Sequence, residues 1–354
     1  MKIAHIFWSF TVGGAETMVV DIANQQVKDS EVSLFIINSC VSLELLSSLD
    51  PEINVILLNR TVSSKNLLPF LRLNFLLFRG AFNVIHCHNF NLEKIISGYL
   101  LKKAIVTIHG FNRPIGIKNK YFKVVAISKA IEKDLLAKGL RNVETIFNGV
   151  DTVRIDKKSS FNENLKVVCI GRLNHAVKGQ DILINAFSLL KKDNFKAKLF
   201  FIGDGPSRSH LMGLVNELKL TEDVVFCGGK TRSELYTTIR DFDVLIQPSI
   251  HEGFGLTVVE AMAAQVPVIV SEASGLMEVT SYGKYAGVIS PNTPGAIAKK
   301  VVAISERLYS TSMRVKLLEA SAFVNCNYSI KTTCSNYHRL YLLCLESQSS
   351  RRAS

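Results

Sequence analysis

Two glutamates, Glu252 and Glu260, flank a glycine-containing bend in the segment HEGFGLTVVE. An apolar stretch precedes the bend and an amphipathic run follows it, which predicts a strand, a tight loop and a helix. The helix would begin around Gly255, Leu256 and Thr257, whose N–H groups have no partner inside the helix, and such an end binds anions. Glu260, about one turn further, can accept both hydroxyls of a ribose, while Glu252 can reach another part of the same ligand. The alternative is a pair of solvated glutamates, which the glycines and the preceding strand disfavour.

Two basic residues follow another predicted strand, LKVVCIG. Arg172 comes directly after Gly171, and Lys178 precedes Gly179 and the next helix. When a bond between a sugar and a diphosphate breaks, the charge on the leaving group must be neutralised. A metal ion can do this, and so can basic side chains together with a helix N-terminus. The alternative is an exposed arginine and lysine in a loop.

The sequence offers two superficial metal motifs. The segment Asp241-Phe-Asp243 has the form of a metal-binding DxD, but Asp243 begins an apolar strand, which favours a structural role. His86 and His88 flank Cys87 and point to the same side of a strand, yet no third ligand is evident. The seven cysteines are scattered without CxxC spacing, which indicates reduced thiols. We therefore predict no metal and no bound cofactor.

The segment EGFGLTVVEAMAAQVPVIVS resembles the signature of the retaining family 4 glycosyltransferases, which have the GT-B fold. Further matches follow in the family's order: GGAE at 13–16, AISKAI at 126–131, NGVD at 148–151, GRL at 171–173, KGQDILINAF at 178–187, GDGP at 203–206 and DVLIQPS at 243–249. The resemblance covers nearly the whole chain. It implies an α/β protein of two doubly wound, Rossmann-like domains whose parallel sheets face each other across a cleft.

The resemblance also implies roles for the residues of the second domain. Arg172 and Lys178 would neutralise the leaving diphosphate. Glu260 would hold the ribose, and Glu252 would bind hydroxyls of the donor sugar. An acid at Asp243 would be structural.

Candidates in the first domain follow its strands. By resemblance, the loop with Gly13, Gly14 and Glu16 faces the reacting sugar and the acceptor; it lacks a G-x-G-x-x-G pattern, so it does not predict NAD binding. His109 ends the strand AIVTI, and the resemblance implies contact with the donor sugar or the transferring centre. The alternative is a simple strand-end cap. We interpret His88 as lying near the acceptor.

Strand-like and helical runs alternate along the 354 residues, which predicts parallel sheets covered by helices. A polar stretch at 152–164 interrupts the series and then it begins again. We predict a first domain at 1–155, a nucleotide-sugar domain at 165–310, and helices at 311–345 whose last member returns to the first domain. Ligands are expected at the carboxyl ends of the strands.

The net charge of +12 is concentrated between residues 60 and 129. This region has one acid, Glu93, and twelve bases: Arg60, Lys65, Arg72, Arg79, Lys94, Lys102, Lys103, Arg113, Lys118, Lys120, Lys123 and Lys129. The run LLPFLRLNFLLF at 67–78 adds large apolar side chains. Two interpretations compete, a core helix that buries at least half of these side chains and an interfacial patch on an anionic membrane. No nucleic-acid-binding motif is evident.

The resemblance implies a metal-independent, retaining transferase that moves a sugar from a nucleotide diphosphate sugar to a lipid-linked saccharide. A UDP-sugar is favoured and a GDP-sugar is the second candidate. The product would be a bacterial surface polysaccharide or lipopolysaccharide, and the protein would lie in the cytoplasm against the inner face of the membrane. Two alternatives share the fold, an epimerase of UDP-N-acetylglucosamine and a catalytically silent partner subunit. One departure from the family pattern is the segment 274–278, which has one glycine and no proline.

Overall fold

The computed structural model of the chain describes residues 1–111 and 120–353, apart from the side chains of residues 90 and 349–353. Arg113 and Lys118 of the basic region lie outside the described residues. The chain divides into two compact units: Met1–Gly149 with the C-terminal helix, and Val150–Ser329. The second unit therefore includes the stretch 152–164 that we predicted as a linker.

The first unit is built on a seven-stranded parallel sheet in the order β3-β2-β1-β4-β5-β6-β7. Its strands are β1 (Lys2–Phe7), β2 (Glu31–Asn38), β3 (Asn54–Arg60), β4 (Val84–Cys87), β5 (Ala104–Ile108), β6 (Lys123–Ala126) and β7 (Val143–Thr145). Its first five helices are α1 (Gly14–Gln26), α2 (Leu43–Ser47), α3 (Leu68–Arg79), α4 (Gly98–Leu101) and α5 (Lys129–Ala137), with a 3-10 turn at Phe90–Lys94.

The second unit has a six-stranded parallel sheet in the order β10-β9-β8-β11-β12-β13. Its strands are β8 (Leu165–Ile170), β9 (Ala197–Ile202), β10 (Val224–Phe226), β11 (Val244–Gln247), β12 (Val268–Ser271) and β13 (Gly287–Ile289). Its helices are α6 (His175–Lys178), α7 (Gln180–Lys192), α8 (Arg208–Glu217), α9 (Arg232–Thr238), α10 (Leu256–Ala263), α11 (Ser274–Val279), α12 (Pro294–Ser305) and α13 (Thr311–Asn327), with a 3-10 turn at Ile239–Asp241.

The central strands of both sheets are buried on both faces, as expected of parallel sheets covered by helices. In β4 and β11 every residue is buried. This explains why these strands, VIHC and VLIQ, do not alternate regularly between apolar and polar residues. The prediction of two doubly wound, Rossmann-like domains is confirmed.

The last helix, α14 (Ile330–Ala353), belongs to the first unit and packs against α1 and β4. Tyr337 and Tyr341 on this helix are each 1% exposed. Because a tyrosine hydroxyl buried this deeply needs a hydrogen-bond partner, the helix brings two polar groups into the first unit's interior. None of the described helices is both long enough and apolar enough to cross a bilayer.

Helix α3 buries only a narrow face. Within this fully described helix, Leu73 and Leu77 are completely buried. The large apolar side chains that point outward are Leu68, Leu71, Phe75 and Phe78, each 57–69% exposed. The expectation that the core would take at least half of the apolar side chains of this segment is therefore wrong, and an extended apolar surface remains.

Candidate functional site

The predicted nucleotide-binding residues lie at the switch point of the second sheet. Strand β8 has β9 on one side and β11 on the other, so the connections leaving β8 and β11 diverge above their carboxyl ends. In doubly wound sheets this divergence opens the crevice where ligands bind. Arg172 follows β8, and Glu252 follows β11. The fold therefore brings together residues that are far apart in the sequence.

The loop that carries Arg172 is fixed by its neighbours. The backbone of Gly171 donates to the carbonyl of Ile202 at 2.9 Å, and Gln180 donates to the carbonyl of Arg172 at 3.0 Å. Gly203 has a φ of +134°, and a Cβ there would lie 2.1 Å from the carbonyl oxygen of Gly171. A side chain at this position would displace the loop. The GDGP motif therefore supports the loop, and the Arg172 side chain is exposed.

Lys178 and Glu252 meet at this edge of the sheet, with Nζ and Oε2 2.6 Å apart. Ser249 also donates to Oε2 of Glu252, at 3.2 Å, and Gln247 donates to Ser249 at 3.0 Å. The ion pair is mostly buried, with side chains 21% and 15% exposed. An ammonium group has three N–H donors, so a single bond to Glu252 leaves donors for an anionic ligand. Glu252 thus orients Lys178 at the switch point.

Helix α10 begins beside this pair with an uncapped N-terminus. Its N-cap, Gly255, has a φ of +98° and provides no side-chain cap. A Cβ at this position would be strained by the φ and would lie 2.7 Å from Leu276. The amides of Leu256 and Thr257 therefore open the helix without competition from a capping side chain. Such an end favours negative charge.

Glu260 lies inside the same helix and is 2% exposed. One of its carboxylate oxygens lies 3.4 Å from Nη2 of Arg232, whose Nε donates to the hydroxyl of Tyr236 at 2.6 Å. Arg232 was not predicted, because nothing in the sequence around it distinguishes it from a surface arginine of a helix. A carboxylate has about four acceptor sites, so the ion pair and a ribose can share it.

The segment 274–278, which departs from the family pattern, packs against the Glu252 loop. Gly275 donates its backbone N–H to the carbonyl of Glu252 at 3.2 Å. Glu278 is buried, and its carbonyl accepts from the hydroxyl of Tyr328 at 3.4 Å. Although this segment lacks the proline, it forms an ordered helix, α11, that supports the Glu252 loop.

Asp243 has a structural role. Its carboxylate is fully buried and accepts the backbone N–H groups of Asn162 and Lys166, at 3.0 and 2.8 Å. Lys158 forms an ion pair with it at 3.1 Å. These contacts tie the chain before β8 to the start of β11, at the amino ends of the strands. Asp241 is exposed on a 3-10 turn, so the two acids do not form a shared ligand set.

In the first unit, the switch point lies between β1 and β4. The loop after β1 leads through Gly13 and Gly14 into α1. The carboxylate of Glu16 accepts its own backbone N–H, and burial raises its pKa. This acid already lies at the N-terminus of α1, so the loop is better suited to a neutral group such as a sugar than to a second phosphate.

Three imidazoles are packed in the core of this unit. His5 of β1 pairs in register with His86 of β4, and His88 lies two residues after His86, just past the end of β4, with its ring against that of His86. All three are at most 2% exposed. The third histidine missing from the sequence interpretation is thus His5. Its signal was a polar residue inside the apolar run IAHIF of β1.

The imidazoles form part of one buried hydrogen-bond chain. Its links are His109 Nε2 to His88 Nδ1 (3.5 Å), His88 Nε2 to His5 Nδ1 (2.9 Å), His5 Nε2 to Gln26 Oε1 (2.8 Å), Gln26 Nε2 to Tyr341 (3.2 Å), Tyr341 to His86 Nδ1 (2.8 Å), His86 Nε2 to Thr107 (2.7 Å) and Thr107 to Tyr337 (2.9 Å). His88 is therefore a buried residue whose ring contacts His109, and it is not itself exposed. We refer to these eight residues as the histidine chain.

The rings of His5, His86 and His88 are held neutral. Burial lowers the pKa of His5 to about 4, against the opposing effect of its hydrogen bond to Gln26. Burial and the neighbouring imidazoles lower the pKa values of His86 and His88 well below the usual range. One nitrogen from each ring lies within 4.8 Å of the others, close enough to share an ion. However, each of the six nitrogens already has a hydrogen-bond partner in the chain, which favours neutral, hydrogen-bonded rings.

Comparison with known proteins identifies the class that this fold and site define. A family model described as Glycosyltransferase Family 4 matches residues 12–154, and one described as Glycosyl transferases group 1 matches residues 151–316. The chain belongs to the family 4 glycosyltransferases and has the GT-B fold.

Individual relatives are distant. An uncharacterized glycosyltransferase of Methanocaldococcus jannaschii is 31% identical over 196 residues, which are 50% of this chain and 49% of the relative. A GDP-mannose-dependent α-(1-6)-phosphatidylinositol monomannoside mannosyltransferase of Mycobacterium tuberculosis is 29% identical over 45% of this chain and 46% of its own length. The chain thus spans about half the length of these curated relatives. Anabaena HepE, solved with UDP and glucose, superimposes with a TM-score of 0.79 at 19% identity, covering 96% of this chain and 99% of HepE.

Proposed function

We propose that this protein transfers a sugar from a nucleotide diphosphate sugar to a lipid-linked saccharide, without a metal ion and with retention of configuration. The observation that carries the proposal is the contact between Lys178 and Glu252 at the switch point of the second sheet. Beside it lie the uncapped N-terminus of α10 and the exposed Arg172. Each of these groups is suited to one part of a nucleotide diphosphate sugar.

In the proposed reaction, an acceptor hydroxyl bonds to the anomeric carbon while the bond from that carbon to the diphosphate breaks. The hydroxyl proton passes to the departing diphosphate oxygen, and the nucleoside diphosphate leaves. Negative charge develops on the leaving group, where Arg172, Lys178 and the amides of Leu256 and Thr257 stabilise it. Basic side chains and a helix N-terminus thereby take the place of a metal ion, since the carboxylate of Asp243 is already bound by protein donors.

UDP is the first nucleotide to test, because HepE shares the fold and was solved with UDP and glucose. GDP is the second, because the mycobacterial relative is named as GDP-mannose-dependent. Glu252 would bind hydroxyls of the donor sugar through its second oxygen. In the first unit, His109 is the candidate for contact with a sugar hydroxyl or the reacting centre. Gly13 and Gly14 would face the reacting sugar.

Replacing Glu260 with glutamine is expected to weaken UDP binding by about 1–3 kcal/mol, because hydrogen bonds from ribose hydroxyls to a charged carboxylate are lost. Isothermal titration calorimetry measures the change. Pyrophosphate has no ribose, so its affinity should be the same for the variant and the wild type. Glu306→Gln, which changes an exposed glutamate at the end of α12, is the matched control. Equal UDP affinities for Glu260→Gln and the wild type would remove the ribose assignment.

The acceptor side of the proposal rests on α3. Its exposed face carries Leu68, Leu71, Phe75 and Phe78, spaced three or four residues apart as on one face of a helix. Arg72 and Arg79 on the same helix are exposed as well. Apolar side chains bordered by positive charge suit the interface of an anionic membrane. We propose that this face holds the protein at the cytoplasmic side of the cell membrane, where a lipid-linked saccharide of surface polysaccharide or lipopolysaccharide synthesis would be presented.

The double variant Arg72→Glu/Arg79→Glu is expected to bind vesicles of phosphatidylglycerol and phosphatidylcholine at least tenfold more weakly, since each basic residue near an anionic surface contributes about 1 kcal/mol. Sedimentation with vesicles measures the bound fraction. Arg307→Glu/Arg314→Glu reverses the same amount of charge at exposed positions of the second unit and should bind almost as the wild type does. Equal loss in both double variants would indicate a general charge effect and contradict a docking role for α3.

A further inference from the structure

The histidine chain has a direction that follows from the donors and acceptors at its members. Gln26 presents its carbonyl oxygen to Nε2 of His5 at 2.8 Å. A carbonyl oxygen can only accept, so this nitrogen must carry the hydrogen. His5 is neutral, so its Nδ1 has the lone pair and must accept. The bond of 2.9 Å between the two rings then requires Nε2 of His88 to donate.

The same argument continues from His88 to His109, at one end of the histidine chain. His88 is also neutral, and its Nε2 carries the hydrogen, so its Nδ1 accepts. Its partner at 3.5 Å is Nε2 of His109, which must therefore donate. In a neutral imidazole only one nitrogen carries hydrogen. In the neutral form of His109, Nδ1 is then an acceptor nitrogen.

We propose that Gln26, His5 and His88 are positioning residues that fix His109 in the tautomer with hydrogen on Nε2, so that its Nδ1 accepts a hydrogen bond from a sugar hydroxyl. The inference rests on the proposed function, because it assigns the sugar as the ligand of His109. None of the three positioning residues contacts the substrate. Their role is to make Nδ1 of His109 a hydrogen-bond acceptor. A sugar can donate to such an acceptor through its hydroxyl groups.

The other branch of the histidine chain takes its direction from the same Gln26 amide and reaches the C-terminal helix. The amide nitrogen of Gln26 donates to the hydroxyl of Tyr341 at 3.2 Å, which leaves the hydrogen of that hydroxyl for Nδ1 of His86 at 2.8 Å. His86 then donates from Nε2 to Thr107 at 2.7 Å. All three core imidazoles thus have the same tautomer. Rotating the Gln26 amide by 180° would reverse every donor in the chain.

Nitrogen-15 correlation spectra of the histidine side chains in the full chain test the direction without any substrate. Substituting single histidines assigns the signals. We expect neutral rings with hydrogen on Nε2 and a lone pair on Nδ1 for His5, His86, His88 and His109. Hydrogen on Nδ1 of His88 or His109 would overturn the proposal. A stoichiometric zinc ion bound to the core imidazoles would overturn it as well. A nitrogen whose lone pair binds a metal cannot also accept a hydrogen bond from the next ring.

Gln26→Met removes the group that sets the direction, and Gln25→Met is the matched control on the same helix. For Gln26→Met we expect a mixture of tautomers at His109. We also expect kcat to fall about tenfold, which corresponds to the free energy of about one hydrogen bond. UDP affinity should stay within about twofold, since UDP is assigned to the other unit and the variant removes none of its donors. An unchanged His109 spectrum in Gln26→Met would overturn the relay. If the wild type does not bind UDP, the proposed function is contradicted. The spectra would still report the tautomer of His109.

Discussion

Replacing Arg172 with alanine is expected to lower kcat for sugar transfer about 100- to 1,000-fold, the usual cost of removing one preorganised donor from a developing negative charge. The side chain is exposed at the end of β8, and its loop is fixed through the backbone rather than through the guanidinium. The fold should therefore tolerate the change. Release of UDP from a UDP-sugar, with a membrane-lipid extract as the acceptor, measures the rate.

Arg240→Ala is the control for this prediction. Arg240 pairs with Asp156 at 3.1 Å and precedes β11, at the opposite edge of the sheet from Arg172. Its replacement should leave kcat unchanged, and Arg172→Lys should restore part of the loss because it keeps the charge. An Arg172→Ala enzyme as fast as the wild type would show that the leaving group is neutralised elsewhere.

Acid is expected to destabilise the first unit between pH 6.5 and 4 by about 3 kcal/mol from His5 alone. The pKa of His5 is about 4 in the folded protein and 6.5 in the unfolded chain. Below pH 6.5 the unfolded chain therefore takes up a proton that the folded protein excludes, so stability falls with pH until both states are protonated below pH 4. His86 and His88 add to the loss in the same direction. Since domains are stable by only about 5–15 kcal/mol, the effect is large.

Trp8 is the only tryptophan of the chain and lies in the first unit, so its fluorescence reports the unfolding of this unit. Urea unfolding at several pH values gives the slope of stability against pH. His5→Asn should reduce this slope, whereas His338→Gln, which removes an exposed imidazole of α14, should retain it. Equal slopes for His5→Asn and the wild type would show that His5 is not held neutral.

Long apolar strands and their order of alternation were predictable from the sequence, because parallel sheets bury their strands on both faces. Short elements were not. The sequence pattern of residues 92–101 predicts one helix, and this prediction is wrong: a 3-10 turn at Phe90–Lys94 is followed by α4. Asn74 explains the break, since its amide binds the carbonyl of Ile95 and the backbone N–H of Ser97. A side chain of α3, about twenty positions away in the sequence, thus replaces helical hydrogen bonds.

The candidate site was predictable where local geometry defines it. Gly255 and the helix that follows it are evident from the sequence, because a glycine at a helix start leaves amides uncapped. The contact between Lys178 and Glu252 depends on the strand order, which places β8 beside β11. The roles of Gln26 and Tyr341 depend on where α14 packs. Neither kind of long-range pairing has a signal in local periodicity.

Calorimetric titration of the full chain with UDP, GDP and ADP, each with and without EDTA, tests the central claim most directly. We predict micromolar binding of one nucleotide, UDP first, that EDTA does not change and that Arg172→Ala weakens. Binding of none of the three would contradict nucleotide-sugar transfer and favour a silent partner subunit. Binding that EDTA abolishes would contradict charge neutralisation by Arg172, Lys178 and the N-terminus of α10.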